Sequence, residues 1–129
     1  MINLYINERR VGEITVLDMK GRVRLGGGTI ALHKAICCLV EEGKLQILLN
    51  LASVTHIDSS GLGELISSHI TLHAKGGEIK LLHLTESLRE LMTITKLLTV
   101  FDVYDDEPEA LNSFAGQKLG LREPLPFFV

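Results

Sequence analysis

The sequence predicts an α/β domain, a mixed β-sheet with helices packed on it in the order β-β-α-β-α-β-α-β-α. Three observations carry that prediction. Two alternating stretches near the start are separated only by a short polar turn, as in an antiparallel hairpin. The later strand-like runs are separated by segments of helical period long enough to return each strand in parallel. Residues 45–51 are nearly all apolar, as expected of a central strand covered on both faces.

Each element has a local reason. Leu4 and Ile6, then Ile14, Val16, Leu17 and Met19, form the hairpin around the turn Glu8-Arg9-Arg10-Val11-Gly12. Gly26-Gly27-Gly28 reads as a flexible turn, after which Thr29 caps a helix. Its apolar positions, Leu32, Ala35, Ile36, Leu39 and Val40, follow the helical spacing up to Gly43. A second helix is predicted over about 60–75, with Leu62, Leu65, Ile66, His69, Ile70 and His73 on one face and Gly76-Gly77 at its end. A strand follows at 78–84. Ser87 and Glu90 form a capping-box pattern for a third helix that buries Leu88, Leu91 and Met92. Residues 100–104 read as a last short strand, and Asp105-Asp106-Glu107-Pro108 opens a fourth helix that turns Ala110, Leu111 and Phe114 inward.

At 129 residues the chain fits one core, able to bury about two thirds of its surface. We expect one domain over residues 1–115 and an extension over 116–129. Pro124 and Pro126 exclude a helix near the end of that extension, and Phe127-Phe128-Val129 is expected to pack back on the domain. A hydrophobic content of 46% with 22% charge excludes a disordered chain. No apolar run approaches the roughly 18 residues of a membrane span, so no membrane partner is expected. Thirteen basic against sixteen acidic residues, net charge −3, leave no broad footprint for direct nucleic-acid binding. The first ten residues place Arg9-Arg10 after an alternating stretch, the wrong order for a secretory signal, so a cytoplasmic location is expected. Cys37 and Cys38 are adjacent within a helical run and read as buried, reduced thiols.

One segment carries chemistry: Thr55-His56-Ile57-Asp58-Ser59-Ser60-Gly61-Leu62-Gly63, where the central strand meets the second helix. A helix N-terminus offers unpaired N–H groups and the positive end of the dipole, so an anion is stabilised there by about 0.3–1 kcal/mol. Asp58, Ser59 or Ser60 can cap the helix while the glycines allow close packing. Alternatively, a hydroxyl is offered for modification, and Gly61 and Gly63 clear the first turn for another protein's active site. Other candidates read as structural. His69 and His73 lack a third metal ligand, and Gly26-Gly27-Gly28 lacks the Gly-Lys-Ser/Thr ending of a phosphate loop. Glu41-Glu42 and Asp105-Asp106-Glu107 read as solvated charge at helix ends, while His33, His56 and His83 are scattered. No catalytic residue, metal or cofactor is expected.

The run from Asn50-Leu51-Ala52-Ser53-Val54 through Asp58-Ser59-Ser60-Gly61-Leu62-Gly63, followed by Gly76-Gly77 and the Leu81-Leu82 strand, resembles the STAS domains of bacterial anti-sigma factor antagonists. In element order the resemblance extends from about residue 4 to 114. It implies a regulatory protein that is a substrate and not an enzyme. Unphosphorylated, such a protein binds an anti-sigma factor that is also a serine kinase; phosphorylation releases it, and a phosphatase reverses the modification. The family pattern assigns the phosphate to the first serine after the aspartate, here Ser59. Asp58 would then orient or cap, and Ser60, Gly61, Leu62 and Gly63 would shape the docking turn. Family members often carry an acidic residue in the loop after the second strand, where this chain has Arg22 and Arg24. Two other readings fit the same residues. One is a STAS scaffold subunit of a stress-signalling or transporter assembly. The other is a small-ligand or nucleotide-binding module that uses the second helix's N-terminus as an anion site.

Overall fold

The computed structural model describes residues 4–114. Five strands form one sheet in the order β1-β2-β3-β4-β5. They are β1 (Leu4–Val11), β2 (Ile14–Val23), β3 (Gln46–Ile57), β4 (Glu78–Leu82) and β5 (Val103–Tyr104). β1 is antiparallel to β2, and every later pairing is parallel. The helices are α1 (Gly27–Glu41), α2 (Ser59–Ala74), α3 (Glu86–Ile94) and α4 (Glu107–Ser113). The predicted α/β class and element order are therefore those observed.

Two hydrophobic layers sandwich the sheet. α1, α2 and α3 bury Leu32, Ile36, Leu39, Leu65, Leu72, Leu88 and Met92 against Leu17, Ile47, Leu49, Leu51 and Leu81. On the other face, Ala110 of α4 and Phe114 cover Ile14, Val16, Leu48 and Leu82. β3 contributes to both layers, which is why Ile47, Leu48 and Leu49 are apolar in succession.

Several boundaries differ from the sequence reading, each for a local reason. The hairpin turn is only Gly12-Glu13, with Gly12 at φ 62°, because β1 is an edge strand whose exposed Glu8 and Arg10 can stay in the ladder. β3 runs on to Ile57, and its extension pairs with the end of β2 past a register shift between Asp18 and Lys20. α1 begins at Gly27 instead of after a flexible turn: Gly26 is its N-cap at φ 99°, and the Thr29 hydroxyl donates to the Gly26 carbonyl. α2 buries Leu65, Ser68 and Leu72, so His69 is half-buried and Ile70 is 61% exposed. α3 is capped by Thr85, which accepts from the Leu88 N–H at 3.3 Å; Ser87 lies inside the helix, and Glu86 takes the first turn. β4 stops at Leu82, and a 3₁₀ turn at Leu97–Thr99 shortens β5.

Two readings of side chains are corrected. Cys37 and Cys38 are exposed, because α1 turns Ile36 and Leu39 inward and the residues between them outward. Glu107 is not simply solvated: Arg9 donates to both of its oxygens at 2.8 and 2.9 Å and to both oxygens of Asp18 at 2.6 and 3.2 Å. This ties α4 to the sheet and holds the Asp18 and Glu107 carboxyls below their ordinary range, Arg9 being the leading cause for each. The extension 116–129, with its proline and phenylalanine residues, lies outside the described residues.

Candidate functional site

The site sits where β3 gives way to α2 at Asp58. Its backbone is extended, φ −107° and ψ −175°, and its side chain caps the helix by accepting from the Gly61 N–H at 2.9 Å. The same oxygen, Oδ1, accepts from the Ser60 hydroxyl at 2.7 Å, while Oδ2 accepts from the Leu25 N–H at 3.0 Å. These donors hold the carboxyl down at about 2, the Leu25 N–H contributing most, then the Ser60 hydroxyl and the Gly61 N–H. Asp58 is thus an anion that joins the β2–α1 loop to the first turn of α2.

Ser59 is the first residue of α2 and is exposed; its hydroxyl has no hydrogen-bond partner among the described residues. Ser60 is half-buried and committed to Asp58. The two glycines part company. A Cβ on Gly61 would run into the Val23 carbonyl oxygen, whereas one on Gly63 would meet nothing within 4 Å. Gly61 therefore serves close packing of α2 against the end of β2, and Gly63 leaves the outer surface clear. Leu62 is 8% exposed and belongs to the core. The expected docking turn divides accordingly: Asp58, Ser59, Ser60 and Gly63 line the surface, while Gly61 and Leu62 support it from beneath.

Arg22 and Arg24 are exposed in the segment leading into the β2–α1 loop. Leu25, whose N–H holds Asp58, exposes 78% of its surface, and Ile30 in the first turns of α1 exposes 53%. The sequence reading missed both. An apolar residue set between Arg24 and Gly26 was the available signal for Leu25; that its amide reaches Asp58 was not readable. The neighbouring crevice, lined by Thr55, His56, Thr85 and Ser87 among others, holds about 180 Å³, less than the roughly 300 Å³ at which small-molecule pockets usually begin.

The paired histidines stand in the second half of α2, away from this turn. His69 and His73 stack on each other at 6.0 Å, and His69 meets Phe101 edge-on at 5.4 Å. Among the described residues no three His, Cys, Asp or Glu side chains are grouped as metal ligands, and no helix is long and apolar enough to cross a membrane.

The STAS domain model matches residues 6–110 of the chain. This protein belongs to the STAS domain family. The anti-sigma F factor antagonist of Paenibacillus polymyxa is 31% identical to it over 66 residues, 51% of this chain and 56% of that protein. The anti-sigma-B factor antagonist of Bacillus subtilis (strain 168) is 32% identical over 72 residues, 56% of this chain and 65% of its own. This STAS chain therefore spans between about half and two thirds of the length of these curated relatives. Among solved structures, an anti-sigma factor antagonist from Mycobacterium paratuberculosis superposes with a TM-score of 0.77 at 20% identity, covering 86% of this chain and 93% of that one. The Bacillus cell fate determinant SpoIIAA in its phosphorylated form gives 0.67 at 21% identity, covering 84% and 97%. At such identities the likeness is one of fold, and it places the STAS sheet and its helices in the same arrangement.

Proposed function

We propose that this STAS domain is an anti-sigma factor antagonist switched by phosphorylation at Ser59. Unmodified, it binds an anti-sigma factor that is also a serine kinase and so frees a sigma factor. Phosphate on Ser59 ends that binding, and a phosphatase restores it. In this reading the chain is a cytoplasmic regulator and a kinase substrate, not an enzyme. Residues 1–115 form the working domain, with 116–129 as an extension.

The observation that carries the reading is the contrast between the two serines. Of the adjacent hydroxyls, only that of Ser59 stands exposed and uncommitted at the helix start. The curated relatives are named anti-sigma factor antagonists, which supports the regulatory part of the reading.

Simple electrostatics indicates how release would work. A phosphate adds about −1.5 to −2 charges at neutral pH. At the start of α2 it gains about 0.3–1 kcal/mol from the helix dipole. Beside the ionised Asp58, water-screened repulsion costs about 1 kcal/mol. The two effects nearly cancel within the domain, so its fold stays as it is. At a desolvated interface the new charge is set against an acidic or nucleotide-phosphate surface of the partner, and about 2.7 kcal/mol of such repulsion suffices for a hundredfold loss of affinity. The exposed Leu25 and Ile30, with Arg22 and Arg24 close by, supply an apolar and cationic surface on which a partner can seat.

The test is incubation with the cognate kinase and ATP, followed by mass-spectrometric location of the phosphate. Incorporation into Ser59→Ala at the unaltered rate would refute the assignment.

A further inference from the structure

A groove of about 290 Å³ follows the seam between α1 and α2, with Cys37, His33, Glu64, Ser68, Glu41 and Lys75 among its walls. Three of these side chains form a relay. Cys37 Sγ lies 3.4 Å from His33 Nε2, and His33 Nδ1 lies 3.0 Å from Glu64 Oε2. His33 and Cys37 are one turn apart on α1, while Glu64 comes from α2 and accepts from the Ser68 hydroxyl at 3.5 Å. With the imidazole proton on Nδ1 and donated to Glu64, the Nε2 lone pair faces the sulfur. Nucleophile, proton acceptor and orienting carboxylate thus stand in the order that activates a thiol. The adjacent Cys38 is also exposed, but its sulfur has no hydrogen-bond partner among the described residues.

We propose that Cys37 is a thiol–disulfide exchange site for a small amino-acid-type disulfide, with His33 as proton acceptor and Glu64 as the group that positions it. The Cys37 proton moves to His33 Nε2, and the thiolate attacks one sulfur of the disulfide. A new Sγ–S bond forms as the reagent's S–S bond breaks. The leaving half takes the bonding electron pair as a thiolate and collects the proton from His33. Cys37 is oxidised to a mixed disulfide, and one half of the reagent is reduced to a thiol. The groove has room for a bound cysteine moiety, and it offers Lys75 for a carboxylate and Glu41 for an ammonium group. The site is separate from the Ser59 switch and does not depend on it.

Two single-thiol chains decide the matter: Cys38→Ser, which retains Cys37, and Cys37→Ser, which retains Cys38. Each is incubated with cystine, and adduct formation is followed by intact mass, with circular dichroism as the check on folding. The Cys37 thiol is expected to react at least about tenfold faster than Cys38. Adding His33→Ala or Glu64→Gln to the Cys38→Ser chain should bring its rate down towards that of Cys38. Equal rates for the two thiols, or a rate unmoved by His33→Ala, would overturn the proposal. Uncharged bis(2-hydroxyethyl) disulfide serves as the second reagent: a Cys37 preference for cystine over it supports the amino-acid assignment, and no preference removes that assignment.

Discussion

The Ser60 hydroxyl donates to Asp58 Oδ1 at 2.7 Å, which separates two neighbouring serines into one that builds the turn and one that faces the solvent. Phosphate incorporation should therefore vanish in Ser59→Ala and persist in Ser60→Ala. Peptide mass spectrometry after kinase treatment reads both results. Transfer of the phosphate to Ser60 in the Ser59→Ala protein would show that the hydrogen bond to Asp58 does not withhold that hydroxyl.

Opposite signs are expected at the two glycines of α2. Gly61→Ala drives a methyl group into the Val23 carbonyl, a backbone atom with little freedom to move, and should cost about 1–3 kcal/mol. Gly63→Ala meets open space in a helix and should add about 0.5–1 kcal/mol through the smaller entropy of its unfolded chain. Urea unfolding of the two variants measures both.

Asp58 links stability to acid. Its carboxyl titrates at about 2 in the fold against 3.8 unperturbed, so the unfolded chain binds the proton more readily. The stabilisation is complete above about pH 4 and is lost as pH falls through about 2. Asp58→Asn should melt below the wild type at pH 7, and the gap should close near pH 2. A gap that persists undiminished at pH 2 would contradict the ionised cap.

Arg9 clamps α4 to the edge of the sheet through Asp18 and Glu107, with about a third of each side chain still exposed. Discounted for that exposure, Arg9→Ala should destabilise by about 1–2 kcal/mol, since two half-buried carboxylates lose a bidentate partner. The loss relative to wild type should shrink in high salt, which denaturant titration at two ionic strengths will reveal.

Leu25 separates docking from folding. Its side chain is 78% exposed, so Leu25→Ala should leave the melting temperature nearly unchanged. If the anti-sigma partner covers that side chain, affinity should fall by about tenfold, the order expected for losing most of one buried leucine. Calorimetric titration with the partner gives the answer.

The features legible in the sequence are those whose causes are local. The hairpin, the apolar stripe of α1, the doubly covered start of β3 and the Asp58 turn are each specified by residues within a turn or two of one another. Structure departs from local pattern where two local signals compete, as Thr85 and Ser87 do for the cap of α3, or where burial depends on a neighbour, as with Ser68 against Ile70 on α2.

Sequence alone determined the class of fold, the order of its elements and the stretch at which the third strand gives way to the second helix, because propensity, capping and hydrophobic period act over a few residues. Only the tertiary structure decided that Leu25 would hold Asp58 across 33 positions, that Arg9 would meet Glu107 across 98, and that His33 would find Glu64 beside Cys37. Those pairings follow from the sheet's register and from helices laid side by side. A hydrogen bond specifies where two atoms meet and says nothing about how far apart they lie along the chain.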